Sequence, residues 1–166
     1  MCIRDRLCVA WEAEAALVGP DARVAMLRTA PLVHPEALLK PLILLTSLGL
    51  GGPIGRGTQV WPWISLDDEV RAIRHVIDHD LGGPVNLAGP TPATANDLGR
   101  FLARRLNRPF LIPAPEFALT TLLGRDTAES LMTSDADVRP ARLLADGFEF
   151  RHRTVEEAVE AALEAR

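Results

Sequence analysis

Two histidines, His75 and His79, stand four residues apart in a segment where Val70, Ile73 and Ile77 repeat with helical spacing. Histidines at i and i+4 share a helix face, an arrangement that can hold zinc. With Val70 taken as the core direction and roughly 100° per residue, both rings point away from the apolar stripe, so the expectation is solvent-facing histidines and no metal site. Asp67 and Asp68 form a carboxylate pair that could divide general acid and base work. Their position just after Ser65 fits a helix start better. Ser65-x-x-Asp68 has capping-box form, and acidic residues in a first turn meet the positive end of the helix dipole. Arg28 offers a fixed positive charge for a cofactor or substrate phosphate, and equally a partner for an acidic neighbour. Trp61 and Trp63 alternate in an extended segment, with Trp63 expected inward and Trp61 at the flank of a cleft. Cys8 lies beside Trp11 on one helical face and reads as a buried thiol. The cysteines Cys2 and Cys8 give neither a metal-ligand spacing nor a disulfide framework. The chain has no tyrosine, so chemistry that needs a phenol as general acid cannot be done by this chain alone.

The stretch SLGLGGPIGRGTQVWPWISLDDEV, residues 47–70, concentrates glycines at 49, 51, 52, 55 and 57. It is not a phosphate cradle. A dinucleotide fingerprint starting at Gly49 and Gly51 requires glycine where Ile54 stands, and one starting at Gly55 and Gly57 requires it where Val60 stands. Gly52 to Gly57 has P-loop spacing, but Thr58 and Gln59 follow where Lys and Ser/Thr are needed. The context also fails, because a helix precedes the loop and an extended segment follows it. Two readings remain: a plain connection, or a backbone that closes on a small ligand, which glycine permits.

These residues need elements to position them. Residues 22–30, ARVAMLRTA, form a short apolar run bounded by Asp21 and Pro31 and read as a buried strand; GPVNLAG reads as a second and RPFLIPAP as a third extended segment. CVAWEAEAAL is helical and stops at Gly19-Pro20. HPEALLKPLILLTSL is helical, bent or interrupted at Pro41. Thr94 caps a helix with Leu98, Phe101, Leu102 and Leu106 inward. EFALTTLLG, DTAESLMTS and RPARLLADG are short helices, FEFRHR is extended, and Thr154-x-x-Glu157 opens a final helix that buries Val155, Ala158, Val159 and Ala162. Strands alternate with helices up to about residue 113, which implies parallel α/β layering. The 166 residues, 48% hydrophobic and 24% charged, describe a globular chain. A net charge of −4 gives no electrostatic reason to expect nucleic acid. No apolar run reaches the roughly 18 residues of a membrane span, and MCIRDR lacks the apolar centre of a secretory signal, so the expected location is the cytoplasm.

The segments CVAWEAEA, RVAMLRTA, SLGLGGPIGRGTQVWPWISLDDEVRAI, GPVNLAGPTPATANDLGRFLARRLNRP and RPARLLADGFEFRHRTVEEAVEAAL fall in an order that resembles the C-terminal part of the epimerase-like family of extended short-chain dehydrogenases/reductases. That family consists of proposed NAD-dependent sugar-nucleotide epimerases with a small C-terminal domain of unknown function. The resemblance implies an α/β fold: the C-terminal part of a Rossmann-like doubly wound sheet, few-stranded and mostly parallel, plus a small, mainly helical domain. It divides the chain into residues 1–6, a leader foreign to the family; 7–113, the C-terminal part of the NAD(P)-binding domain with its substrate-side segments; and 114–166, the small domain. It further implies a truncated chain that lacks the nucleotide-binding half, binds no NAD or NADP alone and is inactive alone. The intact parent would use NAD or NADP on a small-molecule substrate. Arg28 and Thr29 then fall on the cofactor side, and Gly51, Gly52, Trp61 and Ser65 on the substrate wall. The superfamily's Tyr-x-x-x-Lys pair is absent, so no catalytic residue is assigned. Ala30 and His34-Pro35 replace the glycine and Gly-Pro usual in the family, and Ser65 replaces its histidine. These departures, with the absence of tyrosine, leave a rival reading: a non-catalytic binding or interaction module derived from the same fold.

Overall fold

The computed structural model describes residues 3–19, 22–111, 113, 116–125, 128–129 and 135–165. Its helices are α1 (Ile3–Ala15), α2 (Leu39–Ser47), α3 (Leu66–Asp78), α4 (Ala95–Arg105), α5 (Glu116–Leu123), α6 (Ala141–Ala145) and α7 (Val155–Glu164). The strands are β1 (Ala25–Thr29), β2 (Leu32–Val33), β3 (Val60–Trp61), β4 (Ile64–Ser65), β5 (Gly83–Leu87) and β6 (Ala93–Thr94). They pair as β1 with β5 and β2 with β4, both parallel, and β3 with β6, antiparallel. Parallel pairs need long crossovers; between β1 and β5 the crossover carries the Gly-rich loop and α3. In this pair Leu27 stands opposite Val85, and Arg28 opposite Asn86.

Two apolar cores result among the described residues. One packs Leu39, Leu42 and Leu45 of α2 against Trp61, Trp63, Leu98 and Leu102, with Val155 and Val159 of α7. The other packs Ile64, Val85 and Leu87 against Ala72 and Val76 of α3, with Leu143, Phe148 and Phe150. Trp63 is inward as expected, 2% exposed, with its indole N–H donating to the Thr91 carbonyl at 3.0 Å. The four expected residues of α7 are all buried.

The three caps form, and of the three only Thr94 closes the reciprocal box. Ser65 and Thr94 accept the backbone N–H of Asp68 and Asp97, and Thr94 completes a reciprocal box. Thr154 accepts from Glu157, but the Glu157 carboxylate takes the N–H of Arg153 instead of Thr154, so α7 has the cap without the box.

Several expectations are corrected. Both Cys8 and Trp11 of α1 are exposed. No apolar layer covers that face of α1 among the described residues, so Cys8 is not a buried thiol. Pro41 does not bend α2. It sits in the first turn, where its missing N–H would have had no intrahelical partner, and residues 35–38 form turns ahead of it. α3 buries Asp68, Glu69, Ala72 and Val76, while Val70 and Ile77 face outward. The assumed core direction was wrong because the buried face carries two carboxylates that a hydrophobic pattern ignores. RPFLIPAP and FEFRHR form no strand among the described residues, and most of DTAESLMTS lies outside them. No described helix is long and apolar enough to cross a membrane.

Candidate functional site

A groove of about 1140 Å³ opens between α1 and β1, floored by the strand and walled by Cys8, Trp11 and Glu12. Asn86, Pro62 and the segment Asp137 to Arg139 complete its rim. Its polar groups are set at the carboxyl end of β1. Arg28 donates from Nε and Nη2 to the two oxygens of Glu12, 2.7 Å each. That bidentate fork holds the Glu12 carboxyl below its ordinary range and the guanidinium above its own. Of the two partners left open for Arg28, the acidic neighbour is the one the geometry displays. Thr29 Oγ1 donates to Glu69 Oε1 at 2.9 Å. Glu69 is buried beneath the strand end; burial raises its pKa above 4.5 and the Thr29 bond opposes that rise.

The other expected site residues lie elsewhere. Gly51, Gly52 and Trp61 surround a void of about 20 Å³ between α2 and α4, room for about one water. A Cβ on Gly51 would lie 2.9 Å from Thr46 Oγ1 and 3.0 Å from Thr46 Cα. The glycine therefore lets the loop backbone press onto the end of α2. Gly89 plays the same part against Trp63, whose ring a Cβ would approach to 2.6 Å.

Ser65 belongs to a knot centred on Asp68, itself 1% exposed. Asp68 Oδ1 accepts from Arg71 Nη1 and from the backbone N–H of Arg151, 2.8 Å each. Its Oδ2 accepts from Ser65 Oγ at 3.1 Å and from the His152 N–H at 2.9 Å. His152 Nδ1 lies 2.9 Å from Ser65 Oγ, which can accept its proton while donating to Asp68. Ser65 thus caps α3, the aspartate pair stands in its first turn, and both aspartates tie the helix to the C-terminal segment.

The histidines of α3 do not both face solvent. The His75 side chain is only 13% exposed, and its Nε2 lies 2.8 Å from Asp146 Oδ2. His79 Nδ1 lies 2.7 Å from the same oxygen. Reasoning from sequence also missed Glu12, Asn86 and Glu69. Asn86 follows from the strand register once Arg28 is singled out; Glu12 and Glu69 carry no motif.

Parallel strands flanked by helices, with a groove running along β1, define this chain as part of a Rossmann-like α/β fold. Residues 114–162 match the domain of unknown function DUF1731. An epimerase family protein of Mycobacterium leprae is 40% identical over 158 residues, which cover 93% of this chain and 51% of the relative. The crystal structure of human epimerase family protein SDR39U1 with NADPH superposes with a TM-score of 0.84 at 29% identity, over 96% of this chain and 54% of that one. The nucleoside-diphosphate sugar epimerase from Corynebacterium glutamicum gives 0.76 at 25% identity, over 98% and 31%. The chain belongs to the epimerase-like family of extended short-chain dehydrogenases/reductases, and it spans about half the length of the curated relatives it matches.

Proposed function

We propose that this chain supplies the substrate-side part and C-terminal cap of an NAD(P)-dependent epimerase or oxidoreductase acting on a small carbonyl or hydroxyl compound, nucleotide-linked sugars being the favoured class. The observation that carries this reading is the groove along β1, whose polar end, Arg28 and Thr29, lies at the carboxyl end of the strand, where open α/β sheets bind their ligands. Hydride chemistry belongs to the nicotinamide, and the protein orients it. In this reading Arg28 and Thr29 face the cofactor, with Arg28 exchanging Glu12 for a phosphate. Gly51, Gly52, Trp61 and Ser65 hold the substrate wall by packing behind it. Residues 7–113 and 114–166 act as the two units. A nucleotide-binding half covers the α1 side of the groove and leaves the Arg28 and Thr29 end to the ligands, and without it the chain is inactive. The NADPH seen with the human relative supports the cofactor class. The second reading, a non-catalytic binding module, draws on the absence of tyrosine.

Calorimetric titration with NADPH tests the division of labour. The chain alone should bind more weakly than about 10 µM, near −7 kcal/mol. A chimaera carrying the first half of the Mycobacterium leprae relative should bind measurably. Tight binding by the chain alone overturns the proposed sharing of the cofactor site. A folded chimaera that binds no NADPH supports the module instead.

A further inference from the structure

We propose that His75, His79 and Asp146 form a binding site for a divalent transition-metal ion, zinc above all. The two histidines come from the last turn and C-cap of α3, and Asp146 comes from the C-cap of α6. Their ligand atoms all lie within 4.8 Å of one another. The two nitrogens approach one carboxylate oxygen at 2.8 and 2.7 Å, and the rings stack with centroids 3.8 Å apart. A tetrahedral ion with bonds of about 2.0–2.1 Å spaces its ligand atoms roughly 3.3 Å apart. Loading therefore requires the three groups to open by about half an ångström, which side-chain rotation supplies.

The donor set is two imidazoles and one carboxylate, which suits zinc and its neighbours in the first transition row and not calcium or magnesium. Three protein ligands leave a fourth position for water. That position can open onto the shallow groove lined by Val70, Arg74, Gly147 and Glu149. The surroundings favour the site. Arg71, one turn before His75, is held by Asp68 and by the Glu149 carbonyl. Arg74 is held by Asp78 at 2.6 Å. Neither is left to compete for Asp146. The Phe148 ring meets His75 edge-on, 5.3 Å between centroids. The ion would join α3 to the turn after α6, groups 71 residues apart in the chain. It would thereby fix the DUF1731 region to the sheet-bearing part.

The test is titration of the whole chain with zinc, followed by calorimetry and by thermal unfolding, with cobalt absorption reporting coordination geometry. One zinc per chain, a rise in melting temperature and a tetrahedral cobalt spectrum are expected. His79→Ala removes a ligand whose side chain is 48% exposed, so the fold should survive. Loss of even a supporting group around a bound metal lowers affinity about 10–100-fold, and loss of this ligand should lower it at least about tenfold. Asp146→Asn should act in the same direction. Zinc binding weaker than ~100 µM by the wild-type chain, about −5.5 kcal/mol, overturns the site. So does equal binding by a folded His79→Ala variant.

Discussion

The surroundings of Asp68 and the groove beside β1 are opposite solutions within one chain. Around Asp68 both carboxylate oxygens are saturated by donors from α3 and from residues 151–152, and the side chain is sealed from water. Along β1 the polar groups stand open to a wide groove, and the flanking helix α1 presents Leu7, Val9 and Trp11 to solvent. A polar centre that meets its own hydrogen-bonding needs works as a fastener. A strand edge beside an exposed apolar helix is unfinished in isolation and calls for another surface. The contrast explains why the paired aspartates, the residues most suggestive of acid–base catalysis, are structural, while Arg28 and Thr29 border the open groove.

The largest effect should come from undoing the fastener. Asp68→Ala leaves two backbone N–H groups, Ser65 and Arg71 without their acceptor, and should lower stability by about 3 kcal/mol in urea unfolding. A loss under about 1 kcal/mol would break the comparison. Gly51→Val sits behind the proposed wall. It forces side-chain atoms onto Thr46 and should cost about 1–3 kcal/mol by the same measurement; an unchanged midpoint would mean that the loop has room to move.

Glu69 sharpens the groove side. Its folded pKa is raised above 4.5 by burial, so its contribution to stability is complete below that pH and is lost as pH rises through the folded value. Glu69→Gln removes the charge and keeps an oxygen for the Thr29 hydroxyl. It should melt at a higher temperature than the wild type near pH ~7.5, with the gap closing below about pH 4.5. A gap that widens in acid would reverse the assignment. The smallest folding effect belongs to Trp11→Ser. Trp11 is 64% exposed, so the change should stay within about 0.5 kcal/mol of the wild type. If the apolar face of α1 is a docking surface, the same variant should reduce concentration-dependent association in sedimentation.

What the sequence discloses follows the range over which each signal acts. The caps at Ser65, Thr94 and Thr154, the strand GPVNL and the buried face of α7 rest on residues a few positions apart, and all were legible. The buried face of α3 was not, because Asp68 and Glu69 look like surface residues until residues 149–152 and Thr29 are laid against them. Cys8 and Trp11 show the converse: an apolar pair on a helix reads as core whether or not the chain carries the layer that would cover it. The meeting of His75 with Asp146 depends on tertiary packing alone, and no local pattern announces it. The Gly-rich loop was rejected as a phosphate cradle by spacing, but the reason for Gly51 became visible only with α2 beside it.

The Asp68 knot also sets an order of events during synthesis. Its backbone donors, Arg151 and His152, lie 83 and 84 residues further along the chain. At about 5–20 residues per second, a ribosome needs roughly 4–17 s to add that stretch. Until then the start of α3 can be capped by Ser65, but Asp68 must keep its water in place of those two amides. The emergence of the C-terminal segment therefore sets the earliest time at which Asp68 can be sealed and the second core closed over Phe148 and Phe150.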